Sequence, residues 1–190
     1  MNAEENKSNH CEKLLAAVEK ILISDGFHNL TIRKVCAEAG LSPGTFYRCY
    51  TGKTELLGAK LDNDNHILAK ELENQIQDMN SLKRVFRFAG FYAEMNLRAN
   101  PDFLLAMFSP GEKWHRKKQP LANLLEEIFE NGQKIGEING LMNAEKLAEL
   151  FIDMLRGCVH SWCVQRRSFD LTTRIEKMTR VFMHSFILNV

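Results

Sequence analysis

The stretch TIRKVCAEAGLSPGTFYRCY, residues 31–50, decides how this chain is read. It holds two short amphipathic runs separated by Gly40-Leu41, and each run follows a residue whose hydroxyl can cap a helix, Thr31 and Ser42. A short polar side chain in that position accepts from the unpaired N–H groups of the first turn. Leu30 and Val35 flank the first cap at the spacing of a hydrophobic staple. Pro43 follows the second cap, where a missing N–H costs nothing. Ile32, Val35, Cys36 and Ala39 form one buried stripe, and Phe46 and Tyr50, four apart, form the next. Thr45, Tyr47 and Arg48 are left pointing outward. Two short helices joined by a tight glycine-containing turn predict a helix-turn-helix, whose second helix enters the major groove of DNA.

The periodicity on either side is helical. Leu14, Leu15, Val18, Ile21 and Leu22 recur at one-face spacing until Asp25-Gly26 stops them. Thr51-Gly52 ends the second short helix, and another begins near Lys53 with Glu55 well placed in its first turn. Leu57, Leu61, Leu68, Leu72, Ile76 and Met79 predict a long helix. Further helices are expected over Val85–Leu97, from Pro101 to about Ser109-Pro110-Gly111, and from Pro120 towards Gly136. Two more follow at about residues 143–166 and 170–188. A charged loop is expected at 110–119. No stretch alternates as a strand does, so the fold class is all-α.

Composition sets the outer bounds. With 190 residues, 45% hydrophobic and 26% charged, the chain suits a soluble globular protein. Met1 to His10 is polar and unlike a signal peptide, and no apolar run is long enough to span a bilayer. A cytoplasmic protein with no membrane partner is expected. A net charge of +1 argues against a surface basic all over. Between Thr31 and Lys53, however, Arg33, Lys34, Arg48 and Lys53 face Glu38 alone, a local patch suited to a small DNA footprint.

The five cysteines, at 11, 36, 49, 158 and 163, have neither the number nor the spacing of a disulfide framework or a zinc site. Cys158 and Cys163 lie five apart on a helix and point about 140° away from each other. Packed cysteines are expected, with no metal and no cofactor. No Ser-His-Asp order, His-Glu-x-x-His helix or phosphate-binding glycine loop appears, so no enzyme is expected.

On the outer face of the second short helix, Thr45 can contact a base edge or thymine methyl. Tyr47 and Arg48 can reach phosphates, and Gly44 permits close approach. The helix starts near Thr31 and Lys53 offer N–H groups to phosphate. Residues 31–50, followed by Gly52-Lys53-Thr54-Glu55-Leu56-Leu57, resemble the DNA-binding head of the TetR family of repressors. That head carries the same Gly-x-Ser-x-Gly-Thr-x-Tyr spacing, here Gly40 to Tyr47. The likeness covers about residues 12–61. It implies about nine helices, a homodimer, an effector pocket in the body, and Thr31, Ser42, Gly44, Thr45, Tyr47, Arg48 and Lys53 as the DNA-contacting set. The chain departs from the pattern at Cys49, where the family often has an aromatic.

The expected layout is a helix-turn-helix domain at 1–52 and an effector-binding and dimerisation domain at 53–190. The expected function is a transcriptional regulator, a repressor released from a palindromic operator by a small apolar or amphipathic effector. A helical sensor or adaptor that does not bind DNA, or an activator using the same head, are the alternatives. Aromatic and sulfur side chains could line the effector site: Phe88, Phe91, Tyr92 and Phe103, with Met107, Phe108, Phe129 and Phe151. The last two amphipathic helices would pair with their copies in a four-helix interface through Leu155, Trp162, Met178, Phe182 and Phe186.

Overall fold

The computed structural model describes residues 3–108 and 119–187. Among these the chain forms nine α-helices: α1 Ala3–Ser24, α2 Ile32–Ala39, α3 Pro43–Cys49, α4 Lys53–Ile76, α5 Ser81–Arg98, α6 Pro101–Met107, α7 Pro120–Lys134, α8 Ala144–Val164 and α9 Leu171–His184. A single 3-10 turn, Phe27–Asn29, lies between α1 and α2. The loop expected at 110–119 and the expected end of α6 near Ser109 fall almost wholly outside the described residues.

Short polar residues set most helix starts. Thr31, Ser42, Asn80, Asn143 and Asp170 each accept from the backbone N–H three residues on, and Asn100 accepts from two such groups. Gly40 ends α2 at φ 64, a left-handed conformation that a side chain would oppose.

The helices divide into two compact units. The first, the head, holds α1, α2, α3, α4 as far as Asp64, and α6. The division thus falls within α4 rather than at residue 52, and α6 joins the head unit although it follows α5 in the chain. Leu14, Val18, Leu30, Val35, Phe46, Tyr50, Leu56 and Leu57 form the sealed core of this unit. Phe27 packs on Phe103 of α6 at 5.9 Å. Lys60 is buried in the same unit and is held by Asp64 at 2.5 Å and Glu19 at 3.3 Å. Burial pushes the Asp64 carboxyl up, and Lys60 offsets part of that rise.

The second unit, the body, holds the rest of α4 with α5, α7, α8 and α9. Here α7 packs on α8, and α5 packs on both α9 and α7. Val85, Phe88, Leu125, Phe129, Leu147, Phe151, Leu155 and Ile175 are fully or almost fully enclosed. Gly132 on α7 allows a close passage: a Cβ there would meet Ile138 Cδ1 at 2.6 Å. The backbone N–H of Asn139 donates to the Phe186 carbonyl at 2.9 Å, tying the segment after α7 to the end of α9.

Candidate nucleic-acid interface

Helix α3 has two faces of different character. Phe46 is fully buried and Tyr50, just past its end, nearly so, which fixes the inner side against the head core. The outer side presents Gly44, Tyr47 and Arg48, all exposed. Tyr47 is 58% exposed, with its ring edge-on to Phe46 at 5.3 Å. Gly44 is glycine without internal need, since a Cβ would meet nothing nearer than Ser42 Oγ at 3.7 Å, an ordinary contact.

Thr45 departs from the outward orientation expected of it. It is only 8% exposed, because its hydroxyl is drawn into the cap of its own helix. Thr45 Oγ1 lies 3.0 Å from Ser42 Oγ and accepts from Arg48 Nη2 at 3.1 Å, while Ser42 Oγ accepts from the Thr45 N–H at 3.1 Å. The three side chains form one polar chain along α3. Thr45 therefore orients the Arg48 guanidinium, and Arg48 supplies the exposed charge.

Lys53 also sits differently. It is half-buried, with Nζ 4.6 Å above the Phe27 ring, and burial pushes its pKa down. Together with Phe27, Leu57, Phe103 and Met107 it lines a cavity of about 180 Å³ within the head unit. Its ammonium is held on its own aromatic rather than extended. Thr31 is exposed and caps α2 through Oγ1, which accepts from Lys34 N–H at 3.2 Å.

Sequence reasoning missed several features of the head. Among the described residues, Arg33, exposed beside the start of α2, adds a free-standing cation to this face beyond its part in the local charge. Its neighbour Lys34 is taken up by Asp25 at 2.7 Å, a contact that holds the Asp25 carboxyl low. Glu55 reaches back from the first turn of α4 to Thr51, accepting from its N–H at 2.6 Å and its hydroxyl at 2.5 Å. The two donors hold the Glu55 carboxyl below its ordinary range. Cys11 and Cys49 are joined in a disulfide, against the expectation of unpaired cysteines. The chain brings them to a Cα–Cα distance of 5.6 Å across a sequence separation of 38, which no local spacing reveals.

The residues expected to line an effector site are divided between the two units. Phe88, Phe91, Phe129 and Phe151 are buried in the body. Tyr92 is half-buried in the same unit, and desolvation pushes its pKa up despite the neighbouring Arg156 guanidinium. Phe103 and Met107 belong to α6 in the head unit, and Phe108 caps that helix. The residues expected at a dimer interface also separate. Leu155 and Trp162 are buried inside the body's own core and are unavailable to a partner. Met178 is 37% exposed, while Phe182 and Phe186 are half-buried and stack on each other at 5.6 Å. More prominent outside are Val181 at 71% and Val164 at 57% exposed.

A capped, seven-residue helix with a polar outer face, set on α1 and α2 by one apolar side, defines a helix-turn-helix regulator. The comparisons with known proteins agree. Residues 14–59 match the model for the bacterial regulatory proteins of the tetR family. A Bacillus subtilis protein named as an uncharacterized HTH-type transcriptional regulator, YdgC, is 24% identical over 157 residues, 80% of each chain. Thermus thermophilus FadR, a TetR-family repressor solved with lauroyl-CoA, superposes with a TM-score of 0.77 at 20% identity, covering 95% of this chain and 96% of its own. RolR, solved with resorcinol, superposes with a TM-score of 0.78 at 14% identity, covering 98% and 91%. Residues 14–59 are thus similar to the DNA-binding head of the tetR family, and the whole chain shares the fold of these regulators.

Proposed function

We propose that the protein is a dimeric repressor that grips an inverted-repeat operator through α3 and releases it when a small apolar or amphipathic effector enters the body. The observation that carries this reading is the outer face of α3. An exposed Tyr47, an Arg48 oriented by Thr45, and a Gly44 that internal packing does not require all lie on one short, doubly capped helix. In this reading Gly44 lets the backbone approach bases, while Tyr47 and Arg48 reach bases or phosphates. Thr31, Ser42 and the start of α2 present N–H and hydroxyl groups to the backbone of the duplex. Lys53 adds positive charge from its seat on Phe27.

Pairing is assigned to the apolar residues left outside on the last two helices. Leu150, Gly157 and Val164 recur every seven residues on α8, all exposed, and Met178, Val181 and Phe182 share one side of α9. A two-fold pair built this way presents two copies of α3, which must lie about 34–36 Å apart to enter successive major grooves. The body supplies the effector side. Its interior is aromatic, and the half-buried Tyr92 beside the Arg156–Asp153 pair adds polar groups at its edge, a composition suited to an amphipathic ligand. The related fold admits both a long acyl thioester in FadR and a small phenol in RolR, so the side chains and not the fold select the effector. A coupling of about 1–3 kcal/mol would loosen DNA binding roughly 5–150-fold.

Selection of random duplexes on the full-length protein tests the proposal. The enriched sequence should be an inverted repeat with half-sites one helical turn apart. Tyr47→Ala should then weaken binding by roughly 1–3 kcal/mol and leave the melting temperature nearly unchanged, because the ring is largely outside the core. No enrichment, or equal affinity in the variant, would overturn the assignment of α3 to the groove.

A further inference from the structure

The cysteines of this chain are sorted by exposure. Cys36, Cys158 and Cys163 are buried thiols, and burial pushes the Cys36 and Cys158 thiols up, away from the reactive thiolate. Cys11 and Cys49 are both half-buried, reachable from water, and are the two that meet. They meet at a functionally exposed place. Cys49 is the last residue of α3, directly after Tyr47 and Arg48, and Cys11 lies in the first half of α1.

We propose that Cys11 and Cys49 form a reversible thiol-oxidation site that takes small hydroperoxides as oxidant and tightens the head's hold on DNA when the disulfide forms. One thiolate attacks the peroxide O–O bond, giving a sulfenic acid and releasing water or an alcohol. The second thiol displaces the sulfenic hydroxyl as a second water, closing the S–S bond. Two electrons leave the two sulfurs and reduce the peroxide; a dithiol reductant returns them by exchange.

The effect on α3 follows from what else holds it. Phe46 is buried beneath it, and the Tyr50 hydroxyl donates to the Cys11 carbonyl at 3.4 Å. These contacts keep α3 docked in the reduced protein. The covalent link adds a fixed point at the C-terminal end of a helix of only seven residues, where fraying would otherwise move Tyr47 and Arg48. A pre-positioned helix loses less freedom on binding, so the oxidised head binds more tightly. We expect a gain of roughly five-fold, and by reciprocity DNA eases oxidation of the pair by the same factor, about 20 mV for a two-electron couple.

The inference rests on the DNA-binding reading above, and its test separates the two. Full-length protein is reduced, cleared of reductant, treated with hydrogen peroxide, then alkylated and mapped by mass spectrometry. Cys11 and Cys49 should lose alkylation together and appear in one linked peptide, while Cys49→Ser gives no such peptide. Amide exchange over residues 43–49 should slow in the oxidised form. A duplex recovered by the random selection should bind the oxidised form more tightly, and Cys49→Ser should show no response to peroxide. Cysteines 11 and 49 that stay alkylatable after peroxide would overturn the proposal. Equal duplex affinity in both redox forms would overturn this proposal alone. Failure to capture any duplex in either form would overturn the DNA-binding reading and this proposal with it.

Discussion

The head and the body use their side chains in opposite ways. In the head the core is small and sealed, and paired polar groups line its margin: the Ser42–Thr45–Arg48 chain, the Thr51–Glu55 pair and the buried Lys60 with its carboxylates. In the body the interior is a line of aromatic rings in which Phe129 meets Phe151 at 5.9 Å and Phe151 meets Phe182 at 5.2 Å. Among its described residues, a buried Thr179 hydroxyl finds no partner. The head offers directed groups on a capped helical frame. The body offers adaptable apolar surface, part inside and part left bare on α8 and α9. One region is suited to reading a regular polymer, the other to accepting variable shapes.

That contrast can be broken first at the bare surface. Replacing both Met178 and Val181 by Glu puts charge on the outer side of α9 in each protomer, so a two-fold interface meets every substitution twice. Light scattering should give the monomer mass, and operator binding should fall steeply while circular dichroism stays helical. A variant that remains dimeric would place the interface elsewhere. Next in size is Phe46→Ala. It empties a fully enclosed site in the head and should cost roughly 3–5 kcal/mol. Peptide-level hydrogen exchange should show the loss in α1–α3 and leave α7 and α8 protected. Equal losses in both units would mean that they unfold as one. Reduction of the Cys11–Cys49 link acts on the same unit, and for a separation of 38 residues loop-closure entropy alone is worth about 4 kcal/mol.

The smallest effect is the sharpest. The folded Glu55 carboxyl is held low, so its contribution is full above the ordinary glutamate range and fades as pH falls through the folded value. Glu55→Gln should lower the head's stability at neutral pH and converge with the parent protein in acid, which flattens the acid side of the stability curve. Melting curves followed from neutral to acid pH will show it, and an unchanged acid limb would remove Glu55 from the cap.

Legibility in the sequence tracks how local each cause is. The caps at Thr31 and Ser42, the turn at Gly40 and the proline at 43 act within a few residues, so α2 and α3 could be read from their own letters. Thr45 was misdirected because helical geometry gives a face but not a hydrogen-bond partner, and Arg48 and Ser42 draw it inward. Lys53 depends on a ring 26 positions earlier, and the disulfide on a crossing of α1 and α3. On α8 Glu145, Glu149, Asp153 and His160 mark an outer stripe and Val164 lies about 180° from Leu155, but periodicity could not say whether the Leu155 and Trp162 face packs within the subunit or against a copy. The aromatic residues pointed to an apolar interior, but their division between two units depends on which helices meet, and that is a tertiary property.

Gly44 shows where folding and function pull in different directions. Inside a helix, glycine weakens the element by about 0.5–1 kcal/mol relative to alanine, and no neighbour in this chain demands it. Selection for stability alone would replace it, because a methyl group fits and the helix would hold better. If α3 enters the groove as proposed, selection on the bound complex would restore it, since DNA would take the open volume at Gly44. On that proposal position 44 is a record of the operator written in the protein, visible only as an atom that is not there.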